Sequence, residues 1–298
     1  MAKPMPAAEV VITAELVRAL LAGQHSDLAS LPVTFLANGW DNTVFRLGDS
    51  LLARLPRRAL GATIIEHEQR WLPVLAPLLP IRVPAPERTG VPAAGYPYPW
   101  SVVPYLPGTP AADMLDVAGA LDFAGLATAL GAFLAALHQP APADAPANPF
   151  RGVPLASRSQ AFEAALPLVA DQADVAAVRR AYDDALAAPA YDGPPRWLHG
   201  DMHPANILVS GGRVSAIIDF GDITAGDPAS DLSVAWMTLP LDVHQAFLSA
   251  YGGVDESLRR RARGWALCLA VAFLAHSADN PQINHIGRRT LAAVLSDS

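Results

Sequence analysis

The chain has 298 residues, of which 52% are hydrophobic and only 16% are charged. This composition predicts a sizeable core and excludes global disorder, and the length allows two domains. The formal net charge of −7 argues against nucleic acid as the main partner, since phosphate binding needs clustered Lys and Arg. Residues 1–104 carry +1 and residues 105–298 carry −8. An acidic C-terminal part would suit a cationic ligand, although ordinary solvated helix surfaces explain it almost as well.

The single cysteine, Cys268, excludes an intrachain disulfide and fits a reducing compartment. Its surroundings, WALCLAVAFLAH, predict a buried helix with an inert thiol, and this stretch is too short to span a bilayer. The first residues, MAKPMPAAEVV, lack the apolar region of a signal peptide. We therefore expect a cytoplasmic protein that binds neither membranes nor nucleic acid.

The first hundred residues predict a small β-rich lobe. Short apolar runs separated by turns that contain Gly and Asp favour an antiparallel meander. The predicted elements of this part are a helix at 14–21, strands at 33–38, 42–48 and 51–56, a helix at 63–79 and a strand that starts at 100. Pro73 is expected to end or kink the second helix, because proline lacks the N–H of a helical hydrogen bond.

Beyond the first hundred residues the pattern becomes helical. An apolar-periodic helix is predicted at 118–139, two further helical stretches end by Ala190, and helices resume after a β ribbon at 206–219. A small β-rich lobe followed by a larger, mainly helical lobe indicates an α+β fold. The predicted domains are residues 1–104 and residues 105–298.

A glycine pair defines the geometry of the β ribbon. Gly211-Gly212 separates two apolar strands and predicts a two-residue hairpin. If these glycines form the turn, Asn206 faces Ile217 and Asp219 faces Pro204. Both polar side chains are therefore expected at the open end of the ribbon.

That open end lies beside a loop with further polar residues, His199 and Asp201. The carboxylates of Asp201 and Asp219 and the amide of Asn206 are expected to converge there. Such oxygen ligands suit Mg²⁺, and a carboxylate beside the metal can act as a base. The alternative is a polar turn with helix-capping aspartates.

Two motifs carry a family resemblance. His199-Gly200-Asp201, with Asn206 five residues after the aspartate, resembles the kinase catalytic loop H-x-D-x-x-x-x-N, and Asp219-Phe220-Gly221 resembles its D-F-G motif. Together with HPANILV and GDPASDL, they make the chain resemble the aminoglycoside phosphotransferase family, a small-molecule branch of the kinase-like fold. The resemblance implies a two-lobed protein-kinase-like architecture and transfer of a nucleotide γ-phosphate to a hydroxyl group.

The resemblance also implies roles for these residues. Asp201 would orient the acceptor hydroxyl or accept its proton, and Asn206 and Asp219 would hold Mg²⁺ against the phosphates. His199 and Asp231 would support the loop structurally.

The nucleotide side of the family needs a cation on an inner strand, held by a helix carboxylate. Arg54 stands where the family usually has lysine, and it can clamp phosphate because it stays charged. An outward-facing strand residue is the alternative reading of Arg54. Glu68, with Leu72 and Leu75 after it as in the family's helix, and Glu66 compete as its partner.

Two backbone segments are further candidates for nucleotide binding. No G-x-G-x-x-G occurs in the first lobe, so the loop ANGWDNT, with Asn42, would cover the phosphates instead. By position relative to Gly108, the Pro104 carbonyl and the Leu106 N–H would contact the purine of ATP or GTP.

Only four residues lie between Gly221 and the Gly-Asp-Pro sequence that begins at Gly226. This segment is too short to form the platform on which a protein kinase binds its peptide substrate. The acceptor is therefore expected to be a small hydroxylated molecule. The resemblance to the aminoglycoside phosphotransferase family implies a cationic acceptor, an aminoglycoside-type antibiotic, which would make the protein a resistance enzyme. Macrolides, sugars and amino alcohols are alternative acceptors. A nucleotide-binding pseudo-enzyme without turnover is the alternative from another class, and the chain is expected to be a monomer or a homodimer.

Overall fold

A computed structural model describes residues 6–297 of the chain. These residues form two compact units. One contains residues 6–78 and 82–107, and the other contains residues 79–81 and 108–297. The change between units falls after Pro107, whereas the predicted boundary falls after residue 104.

The N-terminal unit is built on a five-stranded antiparallel sheet with the strand order β1-β2-β3-β5-β4. Its elements are α1 (Ala14–Gln24), β1 (Val33–Asn38), β2 (Asn42–Leu47), β3 (Leu51–Pro56), α2 (Ala59–Leu75), β4 (Arg88–Gly90) and β5 (Trp100–Pro104). The predicted meander is confirmed in β1, β2 and β3. Sequence reasoning missed β4, which is a three-residue strand in a proline-rich stretch.

The core of this unit lies between α1 and the sheet. Thr13 begins the helix, because its side chain accepts a hydrogen bond from the Leu16 N–H at 3.2 Å. The helix buries Val17 and Leu21, which belong to one hydrophobic cluster with residues of the sheet such as Trp100. Burial of this apolar surface makes the main favourable contribution to the packing of α1 against the sheet.

Helix α2 differs from its predicted range of 63–79. It begins at Ala59 and passes through Pro73 to Leu75, after which a 3₁₀ turn covers Ala76–Leu78. Of the two effects predicted for Pro73, that it ends the helix is wrong, because the helix continues for two more residues to Leu75. Proline removes one helical hydrogen bond, but the Ala76 N–H still bonds to the Leu72 carbonyl and closes the last turn.

The C-terminal unit is mostly helical. Its helices are α3 (Phe123–Leu137), α4 (Ser159–Ala165), α5 (Val175–Leu186), α6 (Ala229–Leu232), α7 (Val234–Thr238), α8 (His244–Tyr251), α9 (Glu256–His276) and α10 (Pro281–Ser296). Its strands are β6 (Thr109–Pro110), β7 (Arg196–Leu198), β8 (Ile207–Ser210), β9 (Arg213–Ile217) and β10 (Thr224–Gly226). The predicted α+β class, with a β-rich beginning and a mainly helical continuation, is confirmed.

Helix α3 starts five residues later than the predicted position 118, at Phe123. Two local features explain the late start. Gly119 has a φ of 71°, which a right-handed helix does not contain. Asp122 then caps the helix, because its carboxylate accepts a hydrogen bond from the Gly125 N–H at 2.9 Å.

The β8–β9 hairpin turns at Gly211-Gly212 as predicted, but its register changes along the ribbon. Ser210 pairs with Arg213 as expected, whereas Ile207 pairs with Ile217. The predicted pairing of Asn206 with Ile217 is therefore wrong by one residue. The cause is an irregularity between Leu208 and Val209, which pair with Ala216 and Val214, so that Ser215 is an extra residue of β9.

Helix α9 forms the centre of the helical core and buries Trp265 completely. Cys268 lies in this helix and is buried, as the sequence predicted. Within residues 6–297, none of the helices combines the length and the apolar character needed to cross a membrane.

Candidate active site

The predicted catalytic loop, residues 199–206, connects β7 to β8 and ends in a 3₁₀ turn at Pro204–Asn206. Its path depends on Gly200, which has a φ of 86°. A Cβ atom at this position would collide with the carbonyl oxygen of Asp222. Glycine is therefore required on both conformational and steric grounds.

A buried carboxylate holds the start of this loop. Asp231 accepts hydrogen bonds from the His199 N–H at 2.7 Å and from the Gly200 N–H at 3.0 Å. Its Oδ2 also lies 3.2 Å from Nε2 of the buried His138, whose Nδ1 is 3.0 Å from the Tyr251 hydroxyl. Asp231 thus satisfies two backbone donors that would otherwise be buried without partners, which is costly in a low-dielectric interior.

His199 is fully buried and both of its ring nitrogens are engaged with the backbone. Nδ1 accepts a hydrogen bond from the Asp201 N–H at 3.2 Å, and Nε2 lies 2.9 Å from the Ile218 carbonyl. Because Nδ1 is an acceptor here, Nε2 carries the proton and donates it to that carbonyl. Neither nitrogen is left to act as a base.

Asp201 lies in the same loop, with its side chain 26% exposed. Oδ1 accepts a hydrogen bond from Nη2 of Arg151 at 2.9 Å, and Oδ2 lies 3.3 Å from Nε2 of His203. Burial favours the neutral acid, but the neighbouring His203 and Arg151 outweigh it and hold the pKa of Asp201 well below its ordinary value. Asp201 is therefore ionised at neutral pH.

Asn206 and Asp219 are brought near one another by the ribbon. The Asn206 side-chain amide donates to the Asp201 carbonyl at 2.9 Å, and the Asn206 carbonyl accepts from the Ile218 N–H, also at 2.9 Å. The exposed Asp219 follows directly and has a left-handed φ of 63°. Within the described part of the chain, Asn206 Oδ1 and the Asp219 carboxylate accept no hydrogen bond. Both oxygen groups remain available to a ligand.

This pair of oxygen ligands fits a hard cation such as Mg²⁺, which binds proteins through one or two carboxylates and completes its octahedron with phosphates and water. Residues 6–297 hold no group of three or more His, Cys, Asp or Glu side chains placed to bind a metal. A metal here would therefore depend on a phosphate ligand for much of its coordination.

In the N-terminal unit, Arg54 of β3 pairs with Glu68 of α2. Nη1 lies 2.5 Å from Oε2 and Nη2 lies 3.1 Å from Oε1, so the contact is bidentate. Glu68 is fully buried, whereas the competing Glu66 is exposed. Glu68, and not Glu66, is therefore the partner of Arg54. Because Arg54 makes this contact and its side chain is only 12% exposed, it is not an outward-facing strand residue.

The loop before β2 is tied to the start of α2. Arg58 donates to Asp41 Oδ1 at 2.6 Å, and the Arg57 N–H donates to the Asp41 carbonyl at 2.8 Å. Asn42 is buried, and its Oδ1 accepts no hydrogen bond from the described residues. Because Oδ1 is an acceptor, it cannot bind phosphate oxygens, so a phosphate contact at Asn42 would have to use an N–H group.

The segment after β5 contains the two predicted purine contacts. Pro104 ends β5 opposite Leu51, and the Tyr105 N–H donates to the Ser50 carbonyl at 2.7 Å. The next amide, that of Leu106, donates to no residue within 6–297. It is therefore a free backbone donor of the kind that a purine ring recognises.

Sequence reasoning missed two arginines of the C-terminal unit. Arg151 contacts Asp201, and Arg261 forms a buried ion pair with Asp227, Nε to Oδ2 at 2.8 Å. The latter pair engages the Asp227 carboxylate, which is therefore not available to a cationic acceptor. Arg261 lies in the hydrophobic helix α9, and a charged residue that is buried in such a helix needs an ionic partner. An arginine within a hydrophobic helix is the one sequence signal that could have indicated this buried ion pair.

Three comparisons with known proteins bear on this geometry. The sequence profile described as "phosphotransferase enzyme family" matches residues 32–265. No curated protein shows a significant sequence match to the chain. Among solved structures, the GDP complex of wild-type aminoglycoside 2'-phosphotransferase-IIIa is similar, with a TM-score of 0.69 and 19% identity, covering 96% of this chain and 99% of that one.

Two further structures show the same similarity. The GDP and kanamycin complex of APH(2")-IIIa has a TM-score of 0.67 and 20% identity, covering 95% and 99% of the two chains. The apoenzyme of macrolide 2'-phosphotransferase MphH from Brachybacterium faecium has a TM-score of 0.61 and 24% identity, covering 96% and 98%. These similarities confirm the predicted kinase-like fold.

Proposed function

Because the chain belongs to the phosphotransferase enzyme family, we propose that it transfers the γ-phosphate of ATP or GTP to a hydroxyl group of a small molecule, in a reaction that requires Mg²⁺. One observation carries this proposal. The ionised Asp201 shares a loop with Asn206, and Asp219 follows Ile218, whose N–H binds the Asn206 carbonyl; within residues 6–297, Asn206 Oδ1 and the Asp219 carboxylate accept no hydrogen bond. Phosphoryl transfer needs this combination, since its catalysis consists mainly of positioning and electrostatic stabilisation.

Asp201 is the catalytic residue of this proposal. A carboxylate has about four lone-pair positions, and Arg151 and His203 use one on each oxygen. The remaining positions can accept a hydrogen bond from the acceptor hydroxyl and direct its oxygen toward the γ-phosphorus. The low pKa makes Asp201 a weak base, so its main effect is to orient the hydroxyl.

Asn206 and Asp219 would hold Mg²⁺ through Oδ1 and the carboxylate. When bound, the metal neutralises developing charge on the phosphate oxygens. The hydrogen bond from Asn206 to the Asp201 carbonyl links the metal-binding residue to the loop of the catalytic one. His199 and Asp231 would keep this loop in place.

The proposed nucleotide contacts all lie in the N-terminal unit, which includes residues 82–107. Arg54, held by Glu68, would bind the α/β-phosphates, and backbone groups near Asn42 would approach the phosphates. The Pro104 carbonyl and the Leu106 N–H would bind the purine. The GDP in two of the similar structures supports a nucleotide donor.

Two acceptor classes are supported by the similar structures, aminoglycosides and macrolides. With either acceptor the protein would inactivate an antibiotic and act in resistance. The free oxygens at Asn206 and Asp219 favour a working enzyme over a nucleotide-binding pseudo-enzyme.

The proposal is tested by transfer of radiolabelled γ-phosphate from ATP or GTP to kanamycin, erythromycin and choline, with and without Mg²⁺. Asp201→Ala should lower transfer about 10²–10⁴-fold, the usual contribution of such a group, and leave nucleotide affinity within about threefold of wild type. Asp219→Ala should weaken binding of the Mg²⁺–nucleotide complex. Asp171→Ala, which removes an exposed carboxylate, is the matched control and should leave both quantities unchanged. Full activity of Asp201→Ala would contradict the mechanism.

A further inference from the structure

Arg151 forms an ion pair with the proposed catalytic carboxylate. Its Nη2 lies 2.9 Å from Asp201 Oδ1, and its Nε lies 3.8 Å from Asp222 Oδ2. The Arg151 side chain is only 18% exposed, and its Nε makes no hydrogen bond in the described part of the chain. One guanidinium group is therefore shared between two carboxylates.

The loop that carries Arg151 is fixed on both sides. The Gly152 carbonyl accepts a hydrogen bond from the Asp227 N–H at 2.8 Å, and Gly152 has a φ of 66°. A Cβ atom at position 152 would lie 2.6 Å from Leu198 Cδ1, and this contact together with the positive φ favours glycine. On the other side, the Pro146 carbonyl accepts from the Thr224 hydroxyl at 2.8 Å.

Asn148 adds a third attachment, which acts on the second carboxylate. Its side-chain amide donates to Asp222 Oδ1 at 2.8 Å, and its Oδ1 accepts from the Phe150 N–H at 2.8 Å. Asp222 is thus held between Asn148 and Arg151. The guanidinium is built into the site and is not a mobile surface charge.

The charges around Arg151 are crowded. Burial alone would lower the pKa of Arg151, but Asp201 and Asp222 raise it above its ordinary value. Burial and the charge of Asp201 also raise the pKa of Asp222, against the opposing effect of Arg151. Without the guanidinium, Asp222 would lose its ionic partner and Asp201 would keep only its contact with His203.

Arg151 also restricts the orientation of Asp201. Arg151 binds Oδ1 and His203 lies at Oδ2, so the plane of the carboxylate is fixed by one donor on each oxygen. A fixed plane leaves the remaining lone pairs in defined directions. An acceptor hydroxyl can then bind without rotation of the carboxylate.

We propose that Arg151 is a positioning and specificity-determining residue, which orients Asp201 and selects acceptors that carry no more than one positive charge. The proposal rests on the proposed function, since it concerns the acceptor of the same site. The guanidinium offsets only one of the two carboxylate charges, but it lies next to both, so an ammonium group of a polycationic acceptor that approached either carboxylate would also approach this like charge and be repelled by it. A neutral or singly charged acceptor meets no such repulsion.

The test compares equilibrium binding of kanamycin, a polycation, and erythromycin, which has one amine, by calorimetry. Arg151→Gln should bind kanamycin about tenfold more tightly than wild type, while the affinity for erythromycin changes less than threefold. Arg151→Lys keeps the charge and should bind kanamycin as weakly as wild type. Arg179→Gln removes the same charge from an exposed ion pair with Glu163 and should change neither affinity.

Steady-state kinetics distinguish a role of Arg151 in orienting Asp201 from a purely structural role. With an acceptor that is phosphorylated, Arg151→Gln should lower kcat about tenfold and leave the KM for the nucleotide unchanged. A variant with a normal circular dichroism spectrum and unchanged kcat would refute the positioning role.

Equilibrium binding of the acceptors tests the proposed role of Arg151 in specificity even if no acceptor is phosphorylated. If wild type phosphorylates none of the acceptors, the proposed function fails, but the kanamycin comparison still decides the role of Arg151. If Arg151→Gln does not fold, wild type alone should bind erythromycin at least tenfold more tightly than kanamycin. Equal or tighter binding of kanamycin by wild type would overturn the proposal, as would a Gln variant indistinguishable from the Arg179 control.

Discussion

The buried ion pair between Arg261 and Asp227 is expected to be essential for the stability of the C-terminal unit. Its side chains are only 7% and 4% exposed. Arg261 donates from Nε to Asp227 Oδ2 at 2.8 Å and from Nη1 to the Pro189 carbonyl at 2.8 Å. Asp227 also accepts a hydrogen bond from the Ala229 N–H at 3.0 Å, at the start of α6. Arg261→Met would leave the Asp227 carboxylate buried without a counter-ion.

Removing one partner of such a pair costs about 3–5 kcal/mol, because the remaining charge has lost its partner but stays desolvated. With a slope of about 2 kcal/mol per M of urea, the unfolding midpoint of Arg261→Met should fall by about 1.5–2.5 M. Urea unfolding followed by far-ultraviolet circular dichroism measures this shift, since the C-terminal unit contains most of the helices.

Two further variants separate charge burial from loss of side-chain packing. Asp227→Asn combined with Arg261→Met removes both charges and keeps an oxygen for the Ala229 N–H, so it should be more stable than Arg261→Met alone by at least about 1 kcal/mol. Arg179→Met breaks an exposed pair with Glu163 and should leave the midpoint unchanged. The reasoning is refuted if Arg261→Met shifts the midpoint no more than Arg179→Met, or if the double variant is no better than the single one.

Gly200→Ala should lower the free energy of unfolding by on the order of 2–3 kcal/mol in urea titrations, because it combines a left-handed φ with a collision at the Asp222 carbonyl. Gly211→Ala, which has a φ of 57° but open space around the Cβ position, should cost about 1 kcal/mol, and equal losses would contradict the steric argument. Burial raises the pKa of the Cys268 thiol, so its thiolate fraction at pH 8 is small and a disulfide reagent should react only after urea unfolding. Rapid reaction of the native protein would show that Cys268 is accessible.

The parts of the site that could be predicted from the sequence depend on local chemistry. The Gly211-Gly212 turn follows from the need for a positive φ, and both glycines have one, 57° and 77°. The order of His199, Asp201, Asn206 and Asp219 is a property of the chain itself. Where the hairpin was predicted incorrectly, the error lies at Ser215, since a bulge leaves no mark in the alternation of apolar residues.

The parts that could not be predicted are contacts between distant segments. Arg151 and Asp201 are 50 residues apart, and Arg151 lies in a loop without periodicity that could indicate where its side chain points. The same holds for His138, which is 93 residues from Asp231. Such pairs arise when packed helices and loops bring charged groups together, and a single sequence contains no record of this.

The register change at Ser215 has a chemical consequence for the ribbon. In the predicted register Asn206 would face Ile217, but the observed register places the Ile218 N–H on the Asn206 carbonyl, so Asp219 is the next residue after the pair. The chain then enters a left-handed conformation at Asp219, which aspartate tolerates better than most residues, at a cost on the order of 1 kcal/mol.

Strain of this kind persists only where the surroundings fix the backbone. Here the residue after Asp219, Phe220, is buried, and its ring lies 4.4 Å from that of His199. The same histidine binds the Ile218 carbonyl, so one buried side chain fixes the backbone on both sides of Asp219. Because His199 also accepts the Asp201 N–H, a change at His199 should disturb the proposed catalytic carboxylate of Asp201 and the proposed metal ligand Asp219 together, although it binds neither carboxylate.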